Sequence, residues 1–257
     1  MFYMTFIPIA TICIILFKIY QYVLKILNLN KLMSKKSIFI ISSNECKCKK
    51  KFKYIPFLKC TKCLIQNLID FENIDDVYRM LSKLKNQNCH LIIHTEGGES
   101  SCADLISRLL SERKIYVKTY IPKYAQSAGT MMAICGNKIY MNWYSTISPI
   151  DTQLDYDEDD TFPAKFIKKF KNKNWAKEKD YLRGLEAVSV HNDDEFFINK
   201  VLAKNANREK IIKYLLNTKY SHGMTYTRDD VREMGLPVIY DVPDNISNIF
   251  NLFEELV

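Results

Sequence analysis

Two short motifs, His94-Thr95-Glu96-Gly97-Gly98-Glu99-Ser100 and Tyr124-Ala125-Gln126-Ser127-Ala128-Gly129-Thr130, restrict what this chain can fold into more than any other feature. Leu91-Ile92-Ile93 is an apolar run that reads as a buried parallel strand, and it stops at Gly97-Gly98, where positive φ and close backbone approach become available. Ser100 to Leu110 then carries Ala103, Leu105, Ile106, Leu109 and Leu110 at helical spacing, so the pattern is strand, glycine turn, helix start. Lys114 to Ile121 alternates through Ile115, Val117, Thr119 and Ile121 as a second strand and delivers the chain to Ser127. A helix follows from about Ser127 through Met131 and Met132 to Gly136, its expected C-cap, with Lys138 to Met141 as the next strand. Ser127 is thereby expected at a helix N-terminus, where free N–H groups favour a developing oxyanion.

The stretches Ile93-His94-Thr95-x-Gly97-Gly98, Tyr124-Ala125-x-Ser127-x-Gly129-Thr130, Ser148-Pro149-Ile150-Asp151-x-Gln153-Leu154, Pro163-Ala164 and Gly235-Leu236-Pro237-Val238 occur in one order between Asp70 and Asp241. Together they resemble the serine dehydrogenase proteinase family, membrane-associated relatives of Clp-type proteases and signal peptide peptidase A. The resemblance implies an α/β fold, a ClpP/crotonase-like superhelix of β-β-α units, with a serine peptidase site. It makes Ser127 the nucleophile, with the oxyanion hole at Gly97-Gly98 and Ala128 through the N–H groups of Gly98 and Ala128. Peptide or protein would be the substrate, no cofactor is required, and a homo-oligomer is implied.

A serine hydroxyl is a poor nucleophile without a base. Asp151 stands where a Clp-type histidine would fall and reads as an orienting or structural carboxylate. By resemblance to the Ser-Lys dyads of signal peptide peptidase A, Lys173 is the favoured base, with Lys165 and Lys168 behind it. His222, in Ser221-His222-Gly223, matches a Thr-His-Asp segment of the family that here lacks its Asp, and is a further candidate base. Glu96 replaces a usual Pro and sets a carboxylate beside the expected oxyanion hole; Ala128 replaces a usual Gly. These departures keep a second reading open, a ClpP-like scaffold whose site has decayed. Crotonase-type acyl-CoA chemistry shares the oxyanion hole but has no use for a specific Ser127.

Three segments are expected: 1–36 as N-terminal membrane anchor and juxtamembrane stretch, 37–69 as a Cys/Lys-rich strand-loop region, and 70–257 as the peptidase domain. Phe2 to Phe17 holds no charged residue, and the apolar stretch can extend to Leu27 with Lys18 snorkelling. A single-pass transmembrane helix is the first reading, with an interfacial helix or a buried core helix as alternatives. Charges Lys18, Lys25, Lys31, Lys35 and Lys36 all follow the apolar opening, which would place the main domain on the cytosolic side. The net charge of +8 does not bring a nucleic-acid module with it, so no nucleic-acid partner is expected; a basic face near an anionic membrane is the simpler use.

Of the 8 cysteines, Cys13, Cys89, Cys102 and Cys135 sit in apolar or helical contexts that suit buried free thiols. Cys46, Cys48, Cys60 and Cys63 form two close pairs that can hold one tetrahedral Zn²⁺ or a redox pair, or stand as free thiols in a variable loop. The C-terminal third is expected to be helical over Asp180 to Lys204 and Arg208 to Leu216. Thr227 and Asp230 should open a helix that ends at Gly235, before a last strand at Leu236 to Tyr240 and an amphipathic helix from Asn245.

Overall fold

The computed structural model of the chain describes residues 9–42, 68–70, 73–84, 88–112, 114–157, 160–164, 178–216, 219 and 221–256. Its centre is a six-stranded, wholly parallel sheet made of β1 (Ile38–Ser42), β2 (Leu68–Asp70), β3 (Cys89–Ile93), β4 (Val117–Ile121), β6 (Lys138–Met141) and β11 (Val238–Tyr240), in the spatial order β11-β6-β4-β3-β1-β2. The continuous apolar runs have a simple cause, since neighbouring residues of one strand serve two cores. Phe39 and Ile41 of β1, with Leu91 and Ile93 of β3, face one core, while Ile38, Ile40 and Ile92 face the other. Each such fully buried side chain stabilises the fold by about 1.5–3 kcal/mol.

The first core is closed by α2 (Ile74–Lys83), α3 (Ser100–Glu112), α4 (Ala128–Ile134), α5 (Glu178–Val201), α6 (Arg208–Leu215) and α7 (Arg228–Met234). The second is closed by α1 (Ile9–Lys35) and α8 (Asp244–Leu256), through Ile26, Leu29 and Met33 against Ile246, Ile249, Phe250 and Phe253. This corrects the expected transmembrane helix. No helix among the described residues is long and apolar enough to cross a membrane. The physical reason is that α1 carries Lys18, Lys25, Lys31 and Lys35 along its length and spends one stripe of its C-terminal half covering the sheet. The core-helix alternative describes that half.

The helix and strand expectations of the C-terminal third hold closely. Thr227 caps α7 in a reciprocal capping box with Asp230, and Gly235 ends it in the left-handed region at φ 98°. Cys89 and Cys102 are buried free thiols and Cys135 is a half-buried one, as expected. Burial pushes the Cys135 thiol up to about 12 and Cys89 further, so neither is a nucleophile near neutral pH. The four clustered cysteines, Cys46, Cys48, Cys60 and Cys63, and the lysines Lys165, Lys168 and Lys173 lie outside the described residues.

Candidate active site

A second, smaller sheet assembles the site. It consists of β5 (Tyr124–Ala125), β7 (Thr146–Ile147) and β10 (Tyr226–Thr227), with β7 in the middle. β5 runs parallel to β7, with Ala125 opposite Ile147, and β10 runs antiparallel, with Tyr226 opposite Ile147. On the outer side of β5, Thr95 forms a parallel bridge with Ala125. The chain leaves three of these segments and enters the fourth at the same end. Gly97-Gly98, Ser127, Asp151 and the turn that carries His222 therefore gather there, although they are far apart in sequence.

The bridge sets Gly97 beside Ser127, each two residues past the paired Thr95 and Ala125. Gln126 N–H donates to the Thr95 carbonyl at 3.0 Å, and Thr95 N–H donates to the Tyr124 carbonyl at 3.3 Å. Thr95, buried, also shapes the glycine turn: its hydroxyl donates to the Gly97 carbonyl at 2.9 Å and accepts from Gly97 N–H at 3.1 Å. Gly97 and Gly98 take φ of 127° and 152°, a region that favours glycine.

Ser127 is itself unusual, with φ 52° and ψ −119°. Such a backbone costs a non-glycine residue about 1–3 kcal/mol and persists only where its surroundings impose it. Here they do. Ser127 N–H donates to the Ser148 hydroxyl at 2.7 Å, and that hydroxyl donates on to the Pro149 carbonyl at 3.1 Å. The Thr130 hydroxyl oxygen lies 2.9 Å from the Ala125 carbonyl and accepts from Ser148 N–H at 3.1 Å, tying the start of α4 to the end of β7. The positive φ falls on Ser127, and Ala128 opens α4 without one, so the replacement of a usual Gly at position 128 carries no left-handed strain.

These turns border a cavity of about 420 Å³ lined by Gly98, Glu99, Ser127, Ala128, Asp151 and Gln153, with Met131 and Ile150 among its apolar walls. Among the described residues, the N–H groups of Gly98 and Ala128 have no protein acceptor, while that of Ser127 is already spent on Ser148. Two free donors from two turns, beside one hydroxyl, form the arrangement that can grip a tetrahedral oxyanion. Glu96 is exposed and does not line the cavity, so its carboxylate does not stand in the expected oxyanion hole.

Asp151 is buried and lines the same cavity. Its Oδ1 is bonded to Nδ1 of His222, whose side chain is about one third exposed. The two are brought together by register: His222 precedes Tyr226 by the same interval by which Asp151 follows Ile147. Gln153 supports this carboxylate segment by donating from Nε2 to the Asp151 carbonyl at 3.0 Å. Next to it, Thr152 donates from its N–H and its hydroxyl to the buried Asp194 of α5, at 3.2 and 2.9 Å. Burial, only partly offset by those two bonds, pushes the Asp194 carboxyl up to about 6.

Of the residues singled out from sequence, the structure brings together Gly97, Gly98, Ser127, Ala128, Asp151 and His222. Sequence reasoning missed the support of Thr95, Ser148, Thr130 and Asp194. Thr95 and Thr130 lay inside the two opening motifs and Ser148 inside a third, but no spacing rule assigns a hydroxyl to a neighbouring turn. Asp194, in the weakly amphipathic α5, gave no sequence signal of its burial.

A family model described as ClpP-like SDH-type serine proteinase matches residues 3–257. Two uncharacterized proteins of Methanocaldococcus jannaschii, MJ0137 and MJ1495, are 26% identical over 200 residues and 25% identical over 197 residues. Those alignments take in 75% and 74% of this chain and 68% and 66% of the relatives. Among solved structures, the 1510-N membrane-bound stomatin-specific protease superposes with a TM-score of 0.47 at 13% identity, over 82% of this chain and 81% of the other. ClpP1 from Listeria monocytogenes superposes with a TM-score of 0.46 at 11% identity, over 85% of this chain and 99% of the other.

Proposed function

The chain belongs to the ClpP-like SDH-type serine proteinases, and from that premise we propose that it hydrolyses peptide bonds of a peptide or protein substrate through an acyl-enzyme on Ser127. The observation that carries this reading is the meeting, on one cavity, of the strained Ser127 with the unspent N–H groups of Gly98 and Ala128. The Ser127 Oγ attacks the scissile carbonyl carbon, and the electron pair displaced onto the carbonyl oxygen is held by those two donors. Collapse expels the leaving amine and leaves an ester on Ser127, which water then hydrolyses. Removing one oxyanion donor costs such chemistry about 10²–10³ in rate.

The test is labelling by a fluorophosphonate probe, in which Ser127 Oγ forms a bond to phosphorus as fluoride leaves. Wild type should label and Ser127→Ala should not. Absence of Ser127-dependent labelling would leave the fold as a non-catalytic scaffold. In the Ser-Lys form of this reading the base is Lys173, with Lys165 and Lys168 as its neighbours, and Lys173→Ala should then abolish labelling.

We further place the chain, as a homo-oligomer, at a membrane surface with the main domain on the cytosolic side. The support is the outer face of α1, where Leu16, Tyr20, Val23 and Leu27 form an exposed apolar stripe in a helix that also carries Lys18, Lys31 and Lys35. Co-sedimentation with anionic lipid vesicles, lost in Leu16→Glu/Leu27→Glu, is the expected result.

A further inference from the structure

We propose that Asp194 of α5 is a positioning residue for the hydrolysis: by clasping Thr152 it sets the wall of the Ser127 cavity that Ile150, Asp151, Thr152 and Gln153 form. The inference rests on the serine-peptidase reading above and deepens it by assigning what holds that wall, whichever residue serves as the base.

The wall depends on ties from outside. Residues 150–152 run between β7 and β8 (Gln153–Asp157) and belong to no strand. Two backbone bonds secure them: Ile150 N–H donates to the Leu215 carbonyl of α6 at 2.9 Å, and Ala164 N–H, just past β9 (Asp160–Pro163), donates to the Thr152 carbonyl at 3.0 Å. Asp194 adds a tie that comes from a side chain. Its Oδ2 accepts from Thr152 N–H at 3.2 Å and its Oδ1 from the Thr152 hydroxyl at 2.9 Å, so one carboxyl group fixes a peptide plane and a side-chain rotamer together. Asp151 and Gln153, the neighbours of Thr152 on the cavity wall, are held in place with it. The clasp stands on a firm base, because Phe197 and Ile198, three and four residues further along the same side of α5, are buried in the first core.

The charge of Asp194 does not serve the fold. The group is 4% exposed, and the charges acting on it among the described residues are Asp151 from the wall and Asp193 from its own helix, both of like sign. Burying a carboxyl in such company costs stability, which its two bonds offset only in part. A fold that needed only to fill this space would be served about as well by a leucine at 194 with a valine at 152. What such a pair would not do is hold residue 152 in one orientation. The clasp also outlasts protonation: a neutral Asp194 can donate its proton to the Thr152 hydroxyl, which turns from donor to acceptor, while the other oxygen keeps the N–H.

The experiment measures fluorophosphonate labelling rates and thermal melts of the full chain as wild type, Asp194→Asn, Asp194→Leu, Thr152→Ser, Thr152→Val and the double variant Asp194→Leu/Thr152→Val. Asp194→Asn keeps the clasp, its amide oxygen accepting the N–H and its amide nitrogen donating to the hydroxyl, and should label at close to the wild-type rate. Asp194→Leu should slow labelling of the folded protein about 10–10²-fold, the scale expected when a wall of the site is displaced by an ångström or less. Thr152→Val, which keeps one of the two bonds, should lose less, and Thr152→Ser, which keeps both, should label like wild type. The double variant should regain part of the melting temperature lost in the single ones and none of the labelling rate, a split that structural support alone would not produce. Labelling that recovers along with the melting temperature, or a wild-type rate in folded Asp194→Leu, would overturn the assignment and leave Ser127 as nucleophile. A wild type that does not label would overturn the hydrolase reading and this assignment with it.

Discussion

A Cβ placed on Gly97 would stand 2.9 Å from the Cβ of Ser127, closer than such atoms approach in folded proteins. The two turns of the site therefore define each other. Gly97→Ala would push them apart and would also force alanine to φ 127°. The expected result is a loss of about 1–3 kcal/mol in stability, together with a fall in fluorophosphonate labelling out of proportion to the unfolded fraction. Chemical denaturation and labelling on the same preparation check both.

Ser148 offers the reverse experiment, a loosening. Ser148→Ala leaves Ser127 N–H without the hydroxyl that accepts it at 2.7 Å. An unsatisfied donor of this kind costs about 1–3 kcal/mol, and the freed amide can compete for the oxyanion from a misplaced angle. We expect a lower maximal labelling rate with a lowered melting temperature, and partial recovery of both in Ser148→Thr, which restores the hydroxyl.

Asp194 gives the fold a pH dependence of unusual sign for an acid. Its carboxyl titrates at about 6 in the folded chain, above its ordinary 3.8, because burial penalises the charged form. The folded state thus holds the proton more tightly than the unfolded state between those values. The stabilisation is complete below pH 3.8 and is lost as pH rises through about 6. The difference amounts to about 2–3 kcal/mol. Denaturant melts between pH 4 and pH 7, compared with Asp194→Asn, should show this fall in wild type and not in the variant.

His94 has the opposite dependence. Its ring sits against Tyr124 and Phe250 at centroid distances of 4.4 and 5.1 Å, and burial lowers its pKa against the raising effect of Glu254. A histidine lowered on folding contributes stability above its ordinary pKa, about 6.5, and loses it as pH falls through the folded value. His94→Phe should therefore flatten the acid side of the stability profile, measured by melting temperature between pH 5 and pH 8.

Much of this molecule is legible in its sequence because local pattern and tertiary role coincide. The Leu91-Ile92-Ile93 run is a strand buried on both faces, Gly97-Gly98 is a turn that only glycine can make, and Thr227 with Asp230 caps α7 as the spacing requires. The site was half legible for the same reason: Ser127 and its glycines announce themselves within a few residues. Asp151 and His222 are reached only through the resemblance, and their pairing is not legible, because it depends on the register of two-residue strands too short to leave a periodic signal. The N-terminal apolar stretch misled in a third way. Its hydrophobicity is real, but composition alone does not show that its end, at Ile26, turns inward with Leu29 and Met33 against α8 while Leu16, Tyr20, Val23 and Leu27 stay exposed.

The position of β10 has a temporal meaning. The strand that flanks β7, and with it the turn that brings His222 to Asp151, comes from the C-terminal third of the chain, long after Ser127 has been made. On a ribosome-bound chain, Ser127 and the glycine turn are made while the small sheet still lacks its outer strand. His222, the residue that meets Asp151 at the wall of the Ser127 cavity, is therefore among the last of the cavity's surroundings to be synthesised.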